Sequence, residues 1–179
     1  MPLSTPVTMR APDDFHVHFR QSPMLAPVVR ETARWFARAL AMPNITPPVT
    51  TPERLRSYRR EIEDAVPPGT DFEPIGGKLY PQGVTTNSAD GASDIDALYA
   101  VFEAMEEADL VLEIHAEEPG VFSLDRERAF LPRIERIVAR FPRLRVVIEH
   151  ISSAEAVDAL GSLPTTVAAT VTVHHLLLT

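Results

Sequence analysis

Short segments rich in Val, Ile and Leu alternate along this chain with longer segments in which apolar residues recur every three or four positions. This alternation is typical of βα units, which build a parallel sheet or a barrel. The predicted strands are 15–19, 39–43, 71–75, 77–80, 110–115, 145–150 and 167–172, and the predicted helices are 24–38, 52–65, 93–108, 126–140 and 154–160. We therefore expect an α/β fold.

Two places depart from that pattern. The predicted strands 71–75 and 77–80 are separated by a single residue, whereas a parallel crossover needs on the order of a dozen. The sequence also has 179 residues, which is fewer than the roughly 250 typical of a closed eight-stranded barrel. We expect an incomplete barrel, with a segment missing after the third strand and everything missing after the seventh.

Composition limits the kind of partner. The net charge is −8, which argues against nucleic acid because phosphate binding needs a basic surface. No segment approaches 18 consecutive apolar residues, so no membrane partner is expected and the cytoplasm is the default location. Without cysteine, a metal would need histidine, carboxylate, lysine-derived or water ligands. Small molecules are the expected partners, while the sequence leaves the oligomeric state, including a homodimer, open.

All six histidines lie within or just after predicted strands. In parallel α/β folds the carboxyl ends of the strands carry the active site. Side chains two positions apart on a strand share a face, so His16 and His18 can reach one ion. The alternative is a pair of ordinary polar residues on a half-exposed strand. With His115 and His175 at later strand ends, the pattern favours a metal site.

Lys78 is the only lysine among 17 basic residues. A solvated surface lysine is the simplest interpretation. However, Lys78 lies in an apolar strand that ends at the same predicted edge as the histidines. An amine can form a carbamate with carbon dioxide, which a guanidinium cannot, so Lys78 is a candidate for such chemistry.

Five groups of residues, found in order along nearly the whole chain, resemble the dihydroorotases of bacterial type in the amidohydrolase superfamily. They are 15–20 (FHVHFR), 42–51 (MPNITPPVTT), 78–81 with 85–88 (KLYP and TTNS), 114–117 (IHAE) and 149–151 (EHI). The resemblance implies a TIM-like (β/α)8 barrel of the metal-dependent hydrolase type. Because two parts are missing, we expect a single partial barrel domain over residues 1–179.

The resemblance also implies two zinc ions bridged by a carboxylated lysine and a hydroxide. His16 and His18 would bind one zinc, N6-carboxylated Lys78 would bridge both, and His115 with His175 would bind the second. His174 is expected to be a neighbouring polar residue. His150 matches the family too, but we expect a hydrogen-bonded core or rim histidine there rather than a ligand.

Substrate contacts follow from the same resemblance. Arg20 and Asn44 would hold the substrate's carboxylate, and Thr85 and Thr86 would belong to a loop that closes over the substrate. Taken alone, Arg20 could form a surface salt bridge, Asn44 could be a turn residue, and the threonines could lie in a plain loop.

The activity implied is the zinc-dependent, reversible cyclisation of N-carbamoyl-L-aspartate to L-dihydroorotate in pyrimidine synthesis. The family's general acid/base is an aspartate at the end of the eighth strand, which is expected beyond Thr179, so no catalytic residue is assigned. Two alternatives stay open. One is another cyclic amidohydrolase, such as a hydantoinase or allantoinase, and the other is a non-catalytic, degenerate barrel.

Overall fold

Six parallel strands and six helices alternate in the computed structural model, which describes residues 8–42, 44–84 and 91–177. The strands are β1 (Asp13–Val17), β2 (Arg38–Ala41), β3 (Glu73–Leu79), β4 (Val111–Ile114), β5 (Arg145–Ile148) and β6 (Val167–Ala169). The helices are α1 (Leu25–Trp35), α2 (Pro52–Glu63), α3 (Tyr99–Glu107), α4 (Arg126–Arg140), α5 (Ala154–Leu160) and α6 (Val173–Leu177). The predicted alternation of strands and helices is confirmed.

The strands lie side by side in the same order as in the sequence, from β1 to β6, and every pairing is parallel. A doubly wound sheet would reverse its strand order at one point, whereas a barrel adds each strand next to the last. The sheet is therefore a six-stranded half-barrel, in agreement with the incomplete barrel that the sequence predicted.

The two strands predicted on either side of Gly76 are one strand, β3, so the described residues form six strands where seven were predicted. Its first residues, Glu73 and Pro74, pair with β2 alone, Gly76 and Gly77 pair with both β2 and β4, and the last two residues pair with β4 alone. The single residue between the predicted segments leaves no length for a crossover, so the backbone runs straight on. Ile75 has no register partner on β2, because the pairing shifts by one residue between Pro74 and Gly76.

Gly76 is required where β3 meets β4. A Cβ atom at this position would lie 2.1 Å from the carbonyl oxygen of Val111, which is far inside van der Waals contact. The neighbouring Gly77 has room, because its nearest heavy atom would be the carbonyl oxygen of Ala41 at 3.6 Å. The two glycines therefore have different roles in the same strand.

The core lies between the sheet and its covering helices. One apolar cluster, around Phe19, Val29 and Ile62, joins β1 and β2 to α1 and α2. A larger cluster joins β3 to β6 with the following helices, and its fully buried members include Phe102, Ile114, Phe130, Ile134 and Ile148. This packing fixes the strands and leaves their carboxyl ends, where the histidines lie, free to form a site. None of the helices in the described part is long and apolar enough to span a membrane.

Candidate metal centre

Polar side chains that follow two neighbouring strands converge at the carboxyl edge of the sheet. His115 follows β4 directly, and Glu149 with His150 follows β5. One ligand-type atom from each of these three residues lies within 4.8 Å of the other two. Nδ1 of His115 is 3.0 Å from Nε2 of His150, and Oε2 of Glu149 is 3.3 Å from the same Nε2. These atoms form a candidate metal site.

Glu149 links this site to β1 and β3. Its Oε2 contacts Nζ of Lys78, and its Oε1 lies 3.6 Å from Nδ1 of His16. Both Lys78 and Glu149 are largely buried, with side chains that are 10% and 12% exposed. The lone lysine therefore lies among the histidines, as its position in the sequence predicted.

The His-x-His pair reaches the same edge from β1. The ring centres of His16 and His18 are 5.4 Å apart. Nδ1 of His18 is buried and has no hydrogen-bond partner among the described residues. A buried ring nitrogen without a partner loses its hydration, and a bound cation would compensate for that loss. The pair is thus compatible with the predicted metal role.

Burial keeps the histidines of this edge neutral. The pKa of His115 is lowered to about 4, mainly by burial and in smaller part by the electrostatic effects of His150 and Lys78. Burial is also the main cause that lowers the pKa values of His16, His18 and His150. Neutral imidazole is the form that binds a metal, so the environment favours the ligand form of all four rings.

Burial also shifts the pKa values of Glu113 and Lys78. Burial raises the pKa of Glu113, on β4, to about 7, against the opposing charge of Lys78. Burial lowers the pKa of Lys78, and Glu113 opposes that change. The lysine amine is therefore easier to deprotonate than an exposed lysine.

His175 lies apart from the cluster. It belongs to α6, and its Nδ1 is 3.0 Å from the hydroxyl of Thr172, which also contacts His174. A polar cleft of about 400 Å³ has both His150 and His175 in its lining. Within the described residues, the histidine brought next to His115 is His150, which sequence reasoning had set aside in favour of His175.

Sequence reasoning also overlooked Glu113 and Glu149. Both had a signal in the sequence: Glu113 shares a strand face with His115, being two positions before it, and Glu149 directly precedes His150 at a strand end. An acidic residue in an otherwise apolar strand was the feature to notice.

Two of the four predicted substrate-binding residues, Arg20 and Asn44, lie within the part of the chain that the structure describes. Arg20 is exposed, and its charge lies close enough to His18 to lower the pKa of that ring. The amide nitrogen of Asn44 is 3.4 Å from the hydroxyl of Tyr80. Thr85 and Thr86 lie outside the described residues.

Comparison with known proteins identifies the family. The model of the amidohydrolase family matches residues 26–172. The chain belongs to the amidohydrolase family. Enzymes of this family are metal-dependent, which agrees with the cluster of His115, Glu149 and His150.

Curated amidohydrolase relatives of high similarity are dihydroorotases. That of Azoarcus sp. (strain BH72) is 45% identical, over 96% of this chain and 58% of the relative, and that of Leptothrix cholodnii is 42% identical, over 98% and 58%. The chain thus spans less than two thirds of the length of these relatives. The matched stretch of the Azoarcus protein has 199 residues, at least 20 more than the 179 of this chain. That excess agrees with a segment missing inside the chain.

Solved structures give the same relationship. Dihydroorotase from Campylobacter jejuni superposes with a TM-score of 0.65 at 34% identity, covering 94% of this chain and 56% of the other. Dihydroorotase from Saccharomyces cerevisiae, solved with 5-fluoroorotic acid, gives 0.66 at 33%, covering 94% and 57%. L-hydantoinase from Arthrobacter aurescens gives 0.57 at 14% identity, covering 89% and 46%, and shows a shared fold only.

Proposed function

We propose that this chain provides the metal-binding part of a dihydroorotase, which interconverts N-carbamoyl-L-aspartate and L-dihydroorotate in pyrimidine synthesis. The observation that carries the proposal is the convergence of His16, Lys78, His115 and His150 around Glu149 at one edge of the half-barrel. The dihydroorotase relatives, at 42% to 45% identity, support the substrate class.

The proposed ligands are His16, His18, Lys78, His115 and His150. Imidazole nitrogens suit zinc, and we propose two zinc ions as in the family. We propose that His150, rather than His175, is the ligand beside His115. Nε2 of His150 is 3.0 Å from Nδ1 of His115, whereas His175, on α6, is within hydrogen-bond distance of the Thr172 hydroxyl. When bound, zinc ions lower the pKa of a water ligand and polarise the amide carbonyl.

Lys78 is proposed to act as its N6-carbamate. Burial lowers the pKa of its amine, so more of the neutral form is present to attack carbon dioxide. The new N–C bond forms as the amine loses a proton, and the Glu149 carboxylate beside Nζ is placed to accept it. The product is an anionic ligand with two oxygens, which offsets the charge of two cations.

Arg20 and Asn44 are proposed to bind the carboxylate of the substrate, since a guanidinium can donate two parallel hydrogen bonds to it. Thr85 and Thr86 are proposed to close over the bound substrate. Residues 1–179 are proposed to form a single, partial hydrolase barrel domain. The remaining proposals are a cytoplasmic location, a small-molecule substrate and a homodimer.

The ligand assignment is tested with the full chain and the matched variants His150→Asn and His175→Asn. Zinc affinity is measured by competition with a chromophoric chelator, and zinc content by elemental analysis. We expect about two zinc ions in the wild-type chain, at least a tenfold loss of affinity in His150→Asn, and wild-type affinity in His175→Asn. The reverse order of the two variants would overturn the assignment, and a chain that binds no zinc would overturn the metal centre.

The substrate is tested in the protein that contains this chain, with dihydroorotate and with an uncharged hydantoin. We expect the protein to open dihydroorotate, and Arg20→Met to reduce that activity, because Arg20 is proposed to hold the carboxylate of dihydroorotate. The hydantoin has no carboxylate for Arg20 to hold. Hydantoin opening without dihydroorotate opening would favour the hydantoinase alternative. Zinc binding without either activity would favour a non-catalytic barrel.

A further inference from the structure

We propose that Thr170 is a positioning residue: its hydroxyl holds the backbone of His150 in the conformation that aims the imidazole at His115. The inference rests on the proposed role of His150 as a metal ligand. It concerns a residue that lies just after β6, one strand away from the ring it would orient.

His150 has an uncommon backbone. Its φ is +45°, in the left-handed region that few non-glycine residues adopt, although histidine, asparagine and aspartate adopt it more often than the others. Such a conformation is energetically unfavourable and persists only where the surroundings enforce it. The groups that bond to this peptide are therefore the groups that keep the ring in place.

Thr170 supplies those bonds. Its Oγ1 accepts a hydrogen bond from the N–H of His150 at 2.8 Å, and its carbonyl accepts one from Ile151 at 2.9 Å. Its own N–H donates to the carbonyl of Ile148 at 3.0 Å. Two of these bonds use the backbone of Thr170 and survive any change of side chain. Only the bond to His150 depends on the hydroxyl.

The other end of the turn is held independently. The carboxylate of Glu127, at the start of α4, accepts hydrogen bonds from the N–H groups of Ser152 and Ser153 and contacts the Ser153 hydroxyl. The turn after β5 thus stays attached to the fold when the Thr170 hydroxyl is lost. Without the hydroxyl, the backbone of His150 can rotate about φ. The imidazole then no longer stays 3.0 Å from that of His115.

The test compares three variants of the full chain. Thr170→Val keeps the shape of the side chain and removes the acceptor, and Thr170→Ser restores the acceptor. Thr172→Val is the matched control, because its hydroxyl contacts His174 and His175 instead. The measurements are zinc affinity by chelator competition, the visible spectrum of the Co²⁺ form, and amide hydrogen exchange of His150 in the metal-free protein.

We expect Thr170→Val to bind zinc about tenfold more weakly, the lower end of the effect known for groups that orient metal ligands. Its Co²⁺ spectrum should shift and the His150 amide should exchange faster, while Thr170→Ser and Thr172→Val should match the wild type. Equal zinc affinity in Thr170→Val and wild type, in a chain where His150→Asn has lost affinity, would overturn the inference alone. Wild-type affinity in His150→Asn would instead overturn the ligand assignment on which it rests.

Discussion

Lys78 and Glu113 are register partners on the parallel strands β3 and β4, and solvent reaches 10% of the lysine side chain and 1% of the glutamate. Oε2 of Glu113 has no hydrogen-bond partner among the described residues. An isolated buried carboxylate is costly, so the protonated form is favoured. Lys78 thus lies between two carboxyl groups: that of Glu113, its register partner on β4, and that of Glu149, at the carboxyl edge of the sheet.

Glu113 should shape the pH dependence of stability in the metal-free chain. Its pKa of about 7 means that the folded chain keeps a proton which the unfolded chain loses above about pH 4.5, so stability falls by about 3 kcal/mol between those values. His115, with a pKa of about 4 against 6.5 unfolded, has the opposite effect: stability rises by about 3 kcal/mol between about pH 4 and pH 6.5. The two contributions nearly cancel in the wild type.

Glu113→Gln removes the loss of stability with rising pH that Glu113 causes and leaves the contribution of His115. Urea unfolding with chelator at pH 4.5, 5.5 and 6.5 should therefore show stability rising more steeply with pH in the variant than in the wild type. Glu103→Gln, at an exposed position, is the control and should follow the wild-type curve. Parallel curves for Glu113→Gln and the wild type would contradict the buried, protonated carboxyl.

The two glycines of β3 should respond in opposite directions to alanine. Gly77→Ala places a methyl group 3.6 Å from the nearest atom, beside an apolar cavity of about 90 Å³, and should stabilise the chain by about 0.5–1 kcal/mol. Gly76→Ala meets the Val111 carbonyl at 2.1 Å and should destabilise it by several kcal/mol or prevent folding. Thermal unfolding of both variants checks this, and a stable Gly76→Ala chain would show that β3 and β4 do not pair as described.

Tyr58→Phe should cost about 1–2 kcal/mol. The buried hydroxyl of Tyr58 donates a hydrogen bond of 2.7 Å to the carbonyl oxygen of Phe19, and the variant leaves that buried oxygen without this donor. The bond ties α2 to the segment after β1 that carries His18. Denaturant unfolding measures the loss, and a change below about 0.3 kcal/mol would show that water replaces the hydroxyl.

Zinc binding should depend on bicarbonate through Lys78. Because the carbamate forms from carbon dioxide, zinc should raise the melting temperature more in bicarbonate buffer than in buffer freed of carbon dioxide. Lys78→Gln should lose that difference while keeping any zinc effect due to the histidines alone. A wild-type response to zinc that is the same in both buffers would argue against carboxylation of Lys78.

The sequence determined much of this fold because its signals are local. Apolar periodicity predicted α4 and α5 with the bounds that the structure has, 126–140 and 154–160. The rule that parallel strands present their carboxyl ends at one edge predicted from the sequence that His16, His18, Lys78 and His115 lie at the same edge. Both inferences need only the order of residues along single elements.

Tertiary structure decided which strand-end groups meet. The joining of two predicted strands into β3 depends on pairing with β2 and β4, which lie far from it in sequence. His150 lies next to His115 through a turn in which its φ is positive and its N–H bonds to Thr170, from a neighbouring strand, whereas His175 lies on α6 beside Thr172. The burial of Glu113, and hence its raised pKa, likewise comes from groups across the sheet. Backbone rotation after a strand end and desolvation both arise from neighbours in space, and a pattern read along one segment does not contain them.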